Sequence, residues 1–281
     1  YVATSDVITD VTPVRRSVTL NNAIATTNGS TTIVVTDIGH GAFPGDYVII
    51  SGATGFNGIP SGDLNKEHTI SGYINDDSYQ IVVATPASGT GSGGGASISA
   101  KYLYSAGSES QEYGGGWGSG AWGLGTWGGT GTSGNGKMGV WSQENWGEDL
   151  VACAYDGPIF FWDATNPSDR MVDIRDLPSA DGNAPSFARF IAVSHRDRHL
   201  LAFGPSNEYG GTEYAPMTVR WCSQENILNW NEADLSGSAG SIPLSRGSNF
   251  IAVTQTSREF LVWTDAALYS MQFVGAPDVY I

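Results

Sequence analysis

The sequence predicts an all-β chain, and three observations carry that expectation. Glycine contributes 38 of the 281 residues, and a helix loses about 1 kcal/mol for each Gly in its interior. Short runs rich in β-branched residues alternate with turn residues, the pattern of strands joined by tight connections. The second half of the chain repeats a unit of strand, polar turn and strand. Aromatic residues at 11% supply enough apolar material for a core, so wholesale disorder is excluded.

Residues 1–16 open the chain. Tyr1–Pro13 (YVATSDVITDVTP) reads as strand, turn and strand, like the segment after Trp263. It is expected to end a sheet of the repeated kind. The chain starts and stops in the middle of such patterns, and it lacks an initiator Met and a signal peptide. It reads as an excerpt of a longer polypeptide.

Residues 17–103 contain no Trp. Strands are expected at Thr31–Thr36, Tyr47–Ser51, His68–Tyr73, Ser78–Val83 and Ala96–Leu103. Pro44-Gly45-Asp46 and Asn75-Asp76-Asp77 supply turns between them. Five or six strands in this length match a small closed or half-open β-barrel, inserted between two repeats.

Residues 104–136 differ again. Thirteen of the 33 positions are Gly, and Trp117, Trp122 and Trp127 recur every five residues. A period of five fits neither helix nor strand. The tract reads as a linker whose indoles pack on neighbouring domains. The sharper alternative is an aromatic platform for sugars or bases.

Residues 137–281 carry the repeat. Phe190–Phe203 (FIAVSHRDRHLLAF) matches Phe250–Trp263 (FIAVTQTSREFLVW), with Arg198 and Arg258 in register. Trp221-Cys222-Ser223-Gln224-Glu225-Asn226 before Trp230 parallels Trp141-Ser142-Gln143-Glu144-Asn145 before Trp146. Leu150–Tyr155 with Ile159–Trp162 reads as another strand pair of the same kind. The spacing from Trp162 to Asp176-Leu177 parallels that from Trp221 to Asp234-Leu235. Units of this length with several short strands are the signature of β-propeller blades, which cover one another's faces. About three blades are expected here, so the ring is incomplete within residues 137–281.

Motifs for chemistry are sparse. His195 and His199 have the i,i+4 spacing of a helical metal pair, but SHRDRH joins two strands and reads as an exposed hairpin. His40 reads as a packing residue of its loop. Asp163, Asp169, Asp173 and Asp176 lack the order of a calcium loop and read as a solvated connection. Cys153 and Cys222 sit in apolar stretches, as reduced buried thiols do. No nucleophile elbow, phosphate-binding glycine loop or CxxC pair is present. No catalytic residue, cofactor or metal is assigned, and no enzyme is expected.

The net charge of −15 is shared, −6 over residues 1–136 and −9 over 137–281. That argues against a grip on phosphates, while a channel of this charge would let DNA slide without sticking. No apolar run is long enough for a helical membrane span.

An ordered set of motifs resembles a phage family. It comprises Asp10-Val11-Thr12-Pro13-Val14-Arg15, Gly39-His40-Gly41-Ala42, Gly45-Asp46-Tyr47-Val48 and Ile49-Ile50-Ser51-Gly52-Ala53. The GWGSGAWGLGTWG tract, Asn145-Trp146-Gly147-Glu148-Asp149-Leu150 and Gly157-Pro158-Ile159-Phe160-Phe161-Trp162-Asp163 continue it in order. Together they are similar to tail nozzle or tail-hub proteins of short-tailed bacteriophages, also called tail tubular protein B or stabilisation proteins. The resemblance implies a structural virion protein of the tail, a propeller with an inserted barrel. It further implies a hexameric ring serving as the DNA exit conduit, which contacts a tail adaptor and holds fibre or needle proteins. A carbohydrate- or receptor-binding fibre module using Trp117, Trp122 and Trp127 is the alternative. A glycan-cleaving propeller would need convergent carboxylates, and the sequence singles out no such pair.

Overall fold

The computed structural model describes residues 2–4, 7–105, 140–206, 215–275 and 278–281. The chain divides into two compact units. Tyr1–Pro13 and Val140–Ile281 form the repeat unit, and Val14–Gly139 form the inserted unit. Antiparallel strands dominate both; the described residues include one α-helical turn and one 3₁₀ turn.

The repeat unit begins with β1 (Val2–Thr4) and β2 (Val7–Thr9), a two-stranded hairpin. Residues after β2 lie along the later part of the same unit. Met171 donates its backbone N–H to the Val11 carbonyl at 3.1 Å, and Arg170 pairs with Asp10 at 3.0 Å.

The inserted unit starts at Val14, three residues ahead of the boundary expected from composition. Its strands are β3 (Val14–Leu20), β4 (Ile24–Thr26), β5 (Thr32–Thr36), β6 (Tyr47–Ser51), β7 (Glu67–Asn75), β8 (Ser78–Val82), β9 (Gly91–Gly93) and β10 (Ile98–Leu103). A single helical turn, α1 (Ser61–Leu64), precedes β7. Burial alternates along the predicted runs, with Ile33 and Val35, Val48 and Ile50, and Tyr79 and Ile81 all inward. Pro44 and Gly45 form the expected turn: Asp46 N–H reaches the Phe43 carbonyl at 3.0 Å, and Gly45 takes φ +96°. Only that glycine freedom lets Pro-Gly close the turn without strain.

The hydrogen-bonded order is β3-β10-β6-β7-β8-β5-β4-β9. Irregularities in β7 at Ile70/Gly72 and Tyr73/Asn75 let its first half pair with β6 and its second half with β8. Such bulges bend a strand and wrap the sheet around its core. The ladder does not close, so the closed-barrel expectation is corrected. No pairing joins β3 to β9 among the described residues, because the three-residue β9, Gly91-Ser92-Gly93, ends the series on β4. One apolar cluster nevertheless fills the wrapped sheet, from Leu20 to Tyr102.

Three consecutive four-stranded sheets make up the rest of the repeat unit. The first runs β11 (Trp141–Trp146), β12 (Asp149–Ala154), β13 (Ile159–Trp162), β14 (Val172–Asp173). The second runs β15 (Phe190–Val193), β16 (Leu200–Phe203), β17 (Thr218–Trp221), β18 (Gly240–Pro243). The third runs β19 (Phe250–Gln255), β20 (Glu259–Thr264), β21 (Leu268–Gly275), β22 (Val279–Tyr280). Each is a sequential antiparallel meander.

Period-two side-chain alternation explains the stacking. On β16, Leu200 and Ala202 enter a cluster with Val151, Cys153 and Ile159 of the first sheet. Leu201 and Phe203 enter the next cluster, with Phe260, Val262 and Met271 of the third. The middle sheet is thus covered on both faces, which is why β16 reads as an unbroken apolar run.

The two best-matched repeats, Phe190–Phe203 and Phe250–Trp263, are the first hairpins of their sheets. Trp162 and Trp221 close the third strands of theirs, and their indoles donate to Asp169 O at 3.1 Å and Ser238 O at 2.9 Å. Two other parallels are corrected. Trp141–Asn145 lies in the first strand of its sheet, whereas Trp221–Asn226 ends a third strand and enters a turn. Leu150–Tyr155 and Ile159–Trp162 supply second and third strands rather than a first hairpin. A short polar motif ending in Asn suits either position, so its recurrence carried no register.

Candidate functional site

Among the described residues polar side chains meet at several places, the first a shallow cleft of the repeat unit. The β15–β16 turn and the β19–β20 turn line it, with Ser194, Arg196, Asp197, Arg258, Glu259 and Tyr280 contributing. Its carboxylates act as acceptors. Glu259 takes hydrogen bonds from Ser270 Oγ and, at 3.1 Å, from Gln272 Nε2, and these hold its carboxyl below the ordinary value. Asp197 lies 3.9 Å from Arg196 Nε. The cleft therefore sets the Arg196 guanidinium beside the Asp197 carboxylate.

His199 lies buried close to the cleft and His195 is exposed, so the i,i+4 pair does not form a common site. The His199 Nδ1 sits 2.8 Å from the Cys222 carbonyl, which accepts and fixes the proton on Nδ1. Burial pushes the His199 imidazole below its ordinary value, and the rings of Phe273 and Tyr280 pack around it. Burial also pushes the Tyr280 phenol up.

A second constellation joins the three sheets at one end. The Arg189 guanidinium pairs with Asp156 at 3.2 Å, donates to Asn249 Oδ1 at 2.6 Å, and covers the Tyr155 ring at 4.9 Å. Asp156 follows β12, Arg189 precedes β15 and Asn249 precedes β19. One side chain therefore spans all three sheets, and the forked guanidinium suits that task.

The third lies in the inserted unit. Arg16 pairs with the buried Asp37 through both nitrogens of its fork, one at 3.0 Å. Asp37 also accepts from Tyr102 Oη at 2.6 Å, and Tyr102 meets Tyr79 Oη at 3.2 Å. Burial pushes the Tyr79 phenol up to about 12 and Tyr102 further still, so both remain protonated donors. His40 is a loop-packing residue here: its Nδ1 accepts from Ala42 N–H at 3.0 Å, and Nε2 donates to the Asn75 carbonyl at 3.0 Å.

The remaining sequence candidates can be placed in turn. Cys153 and Cys222 are free and buried, and burial pushes each thiol up to about 12, far from a reactive thiolate. Asp163 caps its own loop by accepting from Thr165 and Asn166, and Asp173 pairs with Arg175 at 2.7 Å. No group of three or more His, Cys, Asp or Glu among the described residues is placed to hold a metal ion. Trp117, Trp122 and Trp127 lie outside the described residues.

Sequence reasoning missed Asp37, Tyr102, Arg189 and Tyr280. Each partner of the first three stands more than twenty residues away, so no local motif announces it. A faint signal existed for Arg189, which immediately precedes a repeat beginning in Phe.

No protein-family profile matches the chain, and no curated protein does. Among solved structures it is similar to the phage phi92 endosialidase, at 12% identity and a TM-score of 0.28. The alignment covers 93% of this chain and 36% of that one. The chain thus spans about a third of that structure, and a likeness of this depth carries no structural argument.

Proposed function

We propose that this chain is a structural protein of a short-tailed phage tail. Its three four-stranded sheets are consecutive propeller blades, and the unit Val14–Gly139 is inserted in the chain between the opening hairpin and the first of them. The observation that supports this reading most is the order of elements. A lone hairpin precedes a whole all-β unit, after which three sequential meanders stack face to face, the middle one covered on both sides. The motif series that resembles nozzle proteins spans both units.

On this reading copies of the protein assemble into a ring that forms a DNA exit conduit and bears tail appendages. The acidic composition suits a conduit, since phosphates are repelled rather than held. Negative-stain imaging of tails carrying the tagged protein provides the test. Tagged rings around the tail axis support the reading; label confined to fibre tips, or single copies in intact tails, overturns it.

A further inference from the structure

Among the described residues of the inserted unit, apolar exposure is concentrated on two segments. Five of its six exposed large apolar side chains are Ile38, Phe43, Tyr47, Tyr73 and Ile74. The backbone joins these segments. His40 N–H reaches the Asp76 carbonyl at 3.3 Å, Asp37 N–H the Asp77 carbonyl at 2.9 Å, and Gly45 N–H the Ile70 carbonyl at 2.9 Å. The Phe43 and Tyr73 rings stack with centroids 6.0 Å apart and planes 18° from parallel, and Tyr73 lies 6.1 Å from the His40 ring. Both rings nevertheless stay nearly half exposed, at 45% and 44%. Register shifts in β7 fall on either side of Tyr73, and such irregularities re-aim side chains. Exposed apolar groups gathered among polar ones mark interaction sites.

Carboxylates flank the stacked pair. Asp76 Oδ1 accepts from the Tyr73 hydroxyl at 2.6 Å, and Asp46 Oδ2 accepts from the Phe43 N–H at 2.9 Å. Asp77, in the same turn as Asp76, accepts from Gly39 N–H at 3.2 Å. None of the three forms an ion pair among the described residues. Arg15, whose charge acts on Asp46, is half-buried and committed to the His40 carbonyl at 2.9 Å and the Tyr102 ring at 5.2 Å. Aromatic faces attract cations, and a carboxylate beside the ring adds to that attraction. The apolar stem of a Lys or Arg suits Ile38 in the neighbouring loop. A chain of charge −15 also steers basic partners toward itself and repels phosphates and its own copies. A neutral sugar would use the rings and gain nothing from the three negative charges.

We infer that the Phe43–Tyr73 pair of the inserted unit, with Asp46 and Asp76 at its sides, docks a basic segment of a partner protein. A lysine or arginine of that segment lies against the two rings and pairs with the carboxylates. The inference does not depend on the nozzle reading; it gives the inserted unit a partner surface of its own.

The experiment titrates the 281-residue chain into a fluorescent hexa-arginine peptide at physiological ionic strength and reads anisotropy. The inference expects saturable binding that Phe43→Ala with Tyr73→Ala weakens about tenfold, although net charge is unchanged. Asp76→Asn also weakens binding, and more than Glu148→Gln does. Glu148 is exposed in the repeat unit, so it controls for the loss of one negative charge. Circular dichroism and melting curves verify that each variant is folded; if the double variant is not, Asp76→Asn, which keeps both rings, decides. Absence of peptide binding, or binding that the folded double variant retains in full, overturns the inference. So does an equal effect of Asp76→Asn and Glu148→Gln, which is the signature of bulk charge alone. A neutral oligosaccharide that binds in place of the peptide and is lost with the same rings overturns it in favour of a glycan.

Discussion

Replacing Arg189 tests whether the three sheets are clasped as one body. Arg189→Leu removes the ion pair to Asp156, the hydrogen bond to Asn249 and the cation placed over Tyr155. Hydrogen bonds to charged groups contribute about 1.5–3 kcal/mol each, and an exposed cation–π contact about 0.5–1. The Asp156 side chain retains 28% of its exposure, so water recovers part of its loss. The expected net cost is about 2–4 kcal/mol, or roughly 4–16 °C in melting temperature for a unit of this size. Arg189→Lys keeps the charge but not the fork, and its cost falls between wild type and Arg189→Leu. Urea unfolding followed by Trp emission reports the change, since Trp141, Trp146, Trp162, Trp221, Trp230 and Trp263 all lie in this unit. Stability of Arg189→Leu within about 0.5 kcal/mol of wild type would refute the clasp.

Other consequences follow from buried polar groups. Arg16→Met leaves the buried Asp37 without its guanidinium partner, at a cost of about 3–5 kcal/mol, while Arg16→Met with Asp37→Asn costs less than the two single changes added; a double-mutant cycle in urea reads the coupling. Stability falls as pH drops below the ordinary imidazole value of 6.5, because unfolded His199 takes up a proton that the folded, buried ring resists. His199→Gln removes about 1.4 kcal/mol per pH unit from that slope, which melting curves across the acid range detect. Cys153 and Cys222 resist a thiol reagent in the native chain at neutral pH and react on unfolding; labelling counted by mass spectrometry checks this.

The sequence made some levels of this structure legible and hid others. The strands at Thr32–Thr36, Tyr47–Ser51 and Ser78–Val82 were readable because β-branched residues alternate there and turn residues bound them. The matched hairpins were readable because both keep strand, polar turn and strand at the same spacing. By contrast, β9 consists of Gly91-Ser92-Gly93, which carries no hydrophobic alternation. The strand Val14–Leu20 straddles the boundary expected at residue 17, and it opens with the charged pair Arg15 and Arg16. The structure turns those charges to Asp37 and the Tyr102 face instead. Ladder closure depends on how two distant edges meet, and no local pattern records it.

High-resolution electron cryomicroscopy of the tail containing this protein tests the central claim most directly. The account predicts that the sheets of β11–β14, β15–β18 and β19–β22 succeed one another as blades around one axis, in a protein repeated around the DNA channel. Sheets stacked without a common axis, or a subunit placed only in the distal fibres, would contradict it.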